Sequence, residues 1–421
     1  MNYKSLWLDY RPIDKKTCCL NVSEDNSVSV YGKSPLMSSV RRELKRAFSV
    51  MFGNRVPAMA VGSFSLLPPD LQSRIGQENL PGGNGYKLCQ LDTICVITSS
   101  TDKGVLYGTF AFLRFLQTGN YSKFKDYSSA PNCVWRMLNL SAAFGTAAGE
   151  SLETRYGDYA RLCASVGLNA CVICNDFVLD SLRSAVHLKQ IAELAGIFRA
   201  WGISIFLSVP FASPVLQGAL QSADSDLDEV RSFWKERVDE IYASVPDFGG
   251  FVVSADEPYS PSNYGRTDAD CANVIAGALE SHGGTVIWHV NAATCCDSFK
   301  ALDGMFLRNV AVQVRISDLQ EQQAVRRLFS MLQKTAVFIE CPLSQEKGRQ
   351  NGDSAYLVPQ WKAVLDKETE VCGGRLSVGQ RVTGAGHKNG SFFLTGMAGV
   401  AGAVCSCANW YAFGRLAWDI S

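Results

Sequence analysis

The residues of this chain best suited to chemistry are carboxylates that follow short apolar runs. Phe251-Val-Val-Ser254 breaks into Asp256 and Glu257, then Pro258. The run 170–174 ends at Asn175-Asp176, and the run 285–290 carries Trp288 and His289 before Asn291. The run 309–314 ends at Arg315, with Asp318 just beyond. The run 335–341 holds Glu340, with Glu346 in the loop after it. A carboxylate at the end of a buried strand costs solvation, so its presence suggests a task. Several acids converging on one mouth suit glycoside hydrolysis, in which one protonates the departing oxygen and another activates water or attacks carbon. Trp288 and His289 are candidates for a sugar platform and a polar contact. The structural alternatives are plain ones: a strand-end acid often caps a helix, and a tryptophan on a barrel strand is often core.

Such groups converge only if their strands end at one rim, and the chain alternates in the way this needs. From residue 133 onward, strands are expected at 134–140, 170–174, 203–209, 251–255, 285–290, 309–314, 335–341 and, rich in glycine, 396–403. Helices are expected at 155–165, 188–200, 227–243, 269–280, 321–333, 358–365 and 408–418. The third of these opens on Asp226-x-x-Glu229, an acidic variant of a capping box. Eight strands alternating with seven expected helices point to a closed barrel with its chemistry at the carboxyl ends of the strands. Residues 1–130 read as a separate α/β domain. Its expected elements are a strand at 27–31, a helix at 35–51, a strand pair at 85–89 and 93–98, and an amphipathic helix at 101–117. The stretch 119–131 reads as a linker. The expected fold is therefore α/β: an N-terminal α/β domain over 1–130, then a (β/α)8 TIM barrel over 131–421.

Composition narrows the partners. With 19% charged residues balancing to zero, the chain has no global electrostatic reason to hold nucleic acid or an anionic membrane. No apolar run reaches the length of a membrane span, and the first residues lack a signal-peptide core. The expected location is cytoplasmic, with secretion left open in case a leader has been trimmed. Fifteen cysteines are many, but their spacings lack zinc-site geometry and there are only four histidines. Cys163, Cys171, Cys174, Cys271 and Cys341 stand where small apolar residues fit, so they read as buried hydrophobes in a reducing compartment. No metal is expected.

Several strings are long and unusual. They include Leu6-Trp-Leu-Asp-Tyr10, Thr101-Asp-Lys-Gly-Val-Leu-Tyr-Gly-Thr-Phe110, Trp234-Lys-Glu-Arg-Val-Asp-Glu-Ile-Tyr242, Tyr264-Gly-Arg-Thr267 and Asn409-Trp-Tyr-Ala-Phe-Gly-Arg-Leu-Ala-Trp418. They resemble the xylan-degrading α-glucuronidases of glycoside hydrolase family 67 over nearly the whole chain. The resemblance implies an N-terminal α/β domain, a (β/α)8 barrel and a C-terminal helical domain, of which the last would begin where this chain stops. It implies removal of α-1,2-linked (4-O-methyl-)glucuronic acid from xylo-oligosaccharides, with inversion and without a cofactor. It makes Glu257 the general acid, with Asp318 and Glu346 activating the water. Acid and base would then stand about 6.5–9.5 Å apart.

The departures concern the uronate. Where the family carries a lysine before the acid this chain has Ser254, and where it carries a strand-five arginine this chain has His289. Arg315 replaces a strand-six lysine and keeps its charge. A tryptophan-bearing loop after strand one is missing. With His289, Trp288 and Asp256, Arg315 completes the expected substrate contacts. Two readings follow: an α-glucuronidase-like hydrolase, or a catalytically impaired carbohydrate-binding relative whose uronate pocket has degraded. The partner expected is a xylo-oligosaccharide or another carbohydrate bearing glucuronic acid, and not a nucleic acid or a membrane. A homodimer stays open. Without a C-terminal domain, apolar surface is expected to lie bare around Trp410, Phe413 and Trp418.

Overall fold

The computed structural model describes residues 6–14, 20–140, 151–173, 182, 184–255, 258–290, 309–315, 336–342, 376–381 and 411–419. Together they make a mixed α/β protein. By density of contacts the chain divides into two units. One comprises residues 1–131, 155–167 and 197–203; the other comprises 132–154, 168–196 and 204–421.

In the first unit, β1 (Val28–Val30) leads into helix α1 (Pro35–Met51), which Ser34 caps through the Met37 N–H. Then come β2 (Met59–Ser63), β3 (Tyr86–Leu91) and β4 (Ile94–Ser99). Helix α2 (Asp102–Thr118) follows, capped by Thr101 and closed by Gly119 in the left-handed region, and β5 (Asp126–Ser129) ends the sheet. The strand order is β1-β2-β4-β3-β5, with β1, β2 and β4 parallel and the rest antiparallel. The stretch expected to be a linker thus holds an edge strand. It is anchored by Tyr127, whose ring meets those of Phe115 at 5.2 Å and Tyr86 at 6.2 Å.

Two polar clusters tie this unit together. The Arg161 guanidinium donates to both carboxylate oxygens of Glu43, at 2.7 and 2.8 Å, and both side chains are fully buried. The Tyr10 hydroxyl donates to the same carboxylate, and burial pushes its phenol well above the usual tyrosine value. At the carboxyl edge of the parallel strands, Asp102 accepts hydrogen bonds from the hydroxyls of Ser34 and Ser63.

The second unit is built on eight parallel strands: β6 (Arg136–Leu140), β7 (Ala170–Ile173), β8 (Ser204–Pro210), β9 (Gly250–Ser254), β10 (Thr285–Val290), β11 (Val310–Arg315), β12 (Ala336–Pro342) and β13 (Leu376–Arg381). Each pairs with the next, and β13 pairs back onto β6, so the ring is closed. Helices α3 (Leu152–Ser165), α4 (Ala185–Arg199), α5 (Asp228–Ser244) and α6 (Asp268–Glu280) follow the first four strands. Helix α7 spans 411–418. The helices expected at 321–333 and 358–365 lie outside the described residues.

Three expectations are corrected here. The eighth strand is Leu376–Arg381 rather than 396–403, which lies outside the described residues. Leu-Ser-Val-Gly alternates apolar and small residues as a barrel strand does before Gln380 breaks the pattern, which makes it a weaker signal than the more apolar, glycine-rich run at 396–403. Helix α5 begins after Leu227 without a side-chain cap, because ion pairs occupy the Asp226 carboxylate instead. Finally, Phe413 and Trp418 are not bare: they are 0% and 1% exposed. The buried Arg136 guanidinium lies 5.3 Å from the centre of the Trp418 ring, and the Asn132 N–H donates to the Trp418 carbonyl at 2.8 Å. Trp410 lies outside the described residues.

Cys89, Cys95, Cys133, Cys163, Cys171 and Cys271 are buried free thiols. Burial pushes Cys133 and Cys271 up to about 12 and Cys89 up to about 11, so at neutral pH they pack as apolar groups. Among the described residues no helix is long and apolar enough to cross a membrane.

Candidate active site

The interior of the strand ring is filled at mid-height by an apolar plug of Met137, Ala170, Val172, Phe206, Ile287 and Ala311. Val252 packs against it, and the Trp135 ring meets Phe206 edge-on at 5.0 Å. Side chains on one face of a strand recur every second residue. Two residues beyond the plug, toward the carboxyl ends, the same face carries Ser208 after Phe206, Ser254 after Val252, His289 after Ile287 and Gln313 after Ala311. The ring's lining therefore turns from apolar to polar within one layer. His289 and Gln313 stand side by side in register, and so do Trp288 and Val312 on the opposite face. Gln313 is only 5% exposed, and Ser208, Ser254 and His289 are half-buried. Arg315 is the last residue of β11 and pairs in register with Glu340, which pairs in turn with Gly379.

Trp288 is corrected by this alternation. Its ring is 0% exposed and points away from the polar layer. It lies 5.9 Å from Phe211, in an aromatic layer that continues through Trp234 to Phe251. Its indole N–H donates to Asp268 at 3.1 Å. No sugar can stack on a ring so enclosed. Burial raises the Asp268 carboxyl above the usual carboxylate value, a shift that the Trp288 hydrogen bond partly offsets.

The expected acids Asp256, Glu257, Asp318 and Glu346 lie outside the described residues, but the chain around the first two is described. The Phe211 N–H donates to the Ser254 carbonyl at 2.7 Å, which fixes where β9 ends. On the far side, Asn263 donates to the Pro258 carbonyl at 2.8 Å and the Arg266 N–H to the Pro261 carbonyl at 3.0 Å, with Gly265 turning the chain at φ +69°. Thr267 and Asp270 then form a full capping box that starts α6. A groove of about 540 Å³ lies along the neighbouring helices, lined by Asp226, Arg231, Lys235, Arg266 and Asn273 among others. Its lining comes from α5, α6 and their leading loops and includes none of the polar strand-end residues. Among the described residues no three of His, Cys, Asp and Glu gather as a metal site.

Sequence reasoning did not single out Gln313. The signal was present in Val-Ala-Val-Gln-Val-Arg, where Gln313 and Arg315 share the parity of Ala311. The same parity rule separates Trp288 from His289, since neighbours on a strand cannot both line one face.

Comparison with known proteins decides what kind of barrel this is. Residues 138–410 match the glycosyl hydrolase family 67 middle domain, and residues 6–112 match the N-terminus of the same family. The chain belongs to glycosyl hydrolase family 67. It is 34% identical to an alpha-glucuronidase of Hypocrea jecorina over 80% of its own length and 45% of that protein's. It is 32% identical to alpha-glucuronidase A of Emericella nidulans, over 98% and 52% respectively. The chain thus spans about half the length of these family 67 relatives. Among solved structures, its fold is similar to that of a GH138 enzyme targeting pectin rhamnogalacturonan II (TM-score 0.60, 13% identity, 94% of this chain and 51% of the other). It is also similar to that of the GH20 exo beta-N-acetylglucosaminidase of Vibrio harveyi (TM-score 0.58, 13% identity, 94% and 71%).

Proposed function

We propose that this family 67 chain is an α-glucuronidase that hydrolyses the bond between (4-O-methyl-)glucuronic acid and a xylo-oligosaccharide. The observation that carries the reading is the joint match of both family domains, together with 32–34% identity to curated alpha-glucuronidases. The fold proposed is a complete (β/α)8 barrel over 131–421, preceded by an α/β domain over 1–130.

In this reading Glu257 protonates the departing xylose oxygen. Asp318 and Glu346 activate a water on the opposite face of the sugar, and the product inverts. Arg315 supplies a fixed positive charge for the uronate carboxylate, and Asp256 and His289 supply polar contacts. Gln313 joins them from the polar layer beside His289. Ser254 stands where the resembling enzymes carry a lysine, so the carboxylate loses one charge-assisted bond and binding weakens more than the chemical step.

The test is release of uronic acid from aldouronic acids that carry a terminal glucuronosyl group. The parent should release it, and Glu257→Gln should lower the rate by about 10²–10⁴-fold, the usual contribution of general acid catalysis. Oligosaccharide binding without release by the parent would instead mark a binding protein.

A further inference from the structure

We propose that Arg266 is a positioning residue that holds the loop bearing Glu257 in place by clamping its returning end to the β8–α5 connection. The inference rests on the assignment of Glu257 as the acid.

Asp256 and Glu257 lie between two anchored points of the chain. The first is Ser254, whose carbonyl is held by the Phe211 N–H. The second is Arg266. Its Nε donates to Asp224 Oδ1 at 2.7 Å, and one terminal nitrogen reaches Asp226 Oδ2 at 3.0 Å and Asp224 Oδ2 at 3.4 Å. The receiving segment is itself braced. Asp224 Oδ1 also accepts the Asp226 N–H at 3.0 Å, and Arg231 donates to Asp226 at 2.9 Å and to Asp228 at 3.0 Å. The clamp therefore joins the connections that leave two adjacent strands, β8 and β9, to the heads of α5 and α6. A guanidinium suits this work because its planar fork serves two carboxylates in fixed directions, which a lysine cannot do. The Arg266 guanidinium holds the Asp224 carboxyl below the usual carboxylate value, so the clamp is charged throughout the neutral range.

The demand for such a clamp comes from inversion. An acid and a base that must straddle both a sugar and a water tolerate little drift, and a shift of about 1 Å can cost about 10²-fold in rate.

The experiment compares the parent with Arg266→Gln, Arg266→Lys and Asp224→Asn. Amide hydrogen exchange is read on peptides covering 255–267. The amides of Asn263, Gly265 and Arg266, which are hydrogen-bonded in the structure, should exchange about tenfold faster in Arg266→Gln, and less so in Arg266→Lys. The barrel strands should keep their protection. Unchanged exchange in this segment overturns the proposal whatever the activity. The second reading is hydrolysis of an aldouronic acid beside that of α-glucuronosyl fluoride, whose leaving group needs no proton. Arg266→Gln should lose about 10²-fold on the first and less than about threefold on the second. Asp224→Asn should show the same split if Arg266→Gln folds poorly. Equal losses on both substrates mean a merely structural role and overturn the proposal. Glu257→Gln is the control: if it lacks the split, the acid assignment has failed and the exchange arm alone judges Arg266.

Discussion

Glu43 and Arg161 make a bidentate pair away from solvent, with Tyr10 donating to the same carboxylate. Removing one member of such a pair leaves an uncompensated charge, at a cost of about 3–5 kcal/mol. Glu43→Leu should therefore lower the urea midpoint sharply, whereas Glu43→Leu combined with Arg161→Met should recover most of the loss. Asp268 presents the opposite case. Its carboxyl is raised by burial, so its charge weakens the fold as pH climbs from the unfolded value through the folded one. Asp268→Asn keeps an oxygen for the Trp288 N–H and drops the charge. Its melting temperature should exceed the parent's at pH 7, with the gap closing below about pH 4, where both groups are neutral. Asp268→Leu strands the indole N–H and should cost about 1–3 kcal/mol. Composition cannot reveal such partners: Asp268 stands twenty residues from Trp288, and only the packing of α6 on β10 brings them together.

Seven of the eight strands of the second unit fall where short, mostly apolar runs between turn signals put them. The pattern was silent elsewhere for physical reasons. Met59-Ala-Val-Gly-Ser63 is buried at every position, so it lacks the alternation of a half-exposed strand. Asp126–Ser129 is an edge strand whose polar residues imitate a loop. The polar layer of the site could be read as residue types at one strand parity but not as a surface, because packing decides which parity faces the ring interior. Tight pairing also leaves a testable trace at Gly250, which has φ +133° and pairs with Thr285. A Cβ there would stand 1.9 Å from the Thr285 carbonyl oxygen, so backbone would have to move. Gly250→Ala should cost about 3 kcal/mol or more, from strain plus overpacking, measured by denaturant unfolding.

In the second unit, the first strand and the last helix meet through Trp418. This side chain covers Arg136, and its carbonyl takes the Asn132 N–H. Trp418→Ala should cost about 3–5 kcal/mol and broaden the unfolding transition, since it loosens the contact that joins the two ends of the ring. The first unit has an ending of its own kind. In open α/β sheets the carboxyl edge of the parallel strands is the ordinary berth for an anionic guest. Here the berth is taken by a tenant built into the chain: Asp102, held by the Ser34 and Ser63 hydroxyls. Evicting it should turn architecture into chemistry. An Asp102→Gly protein should melt below the parent, and millimolar formate or acetate should restore part of the difference by lodging in the emptied cradle.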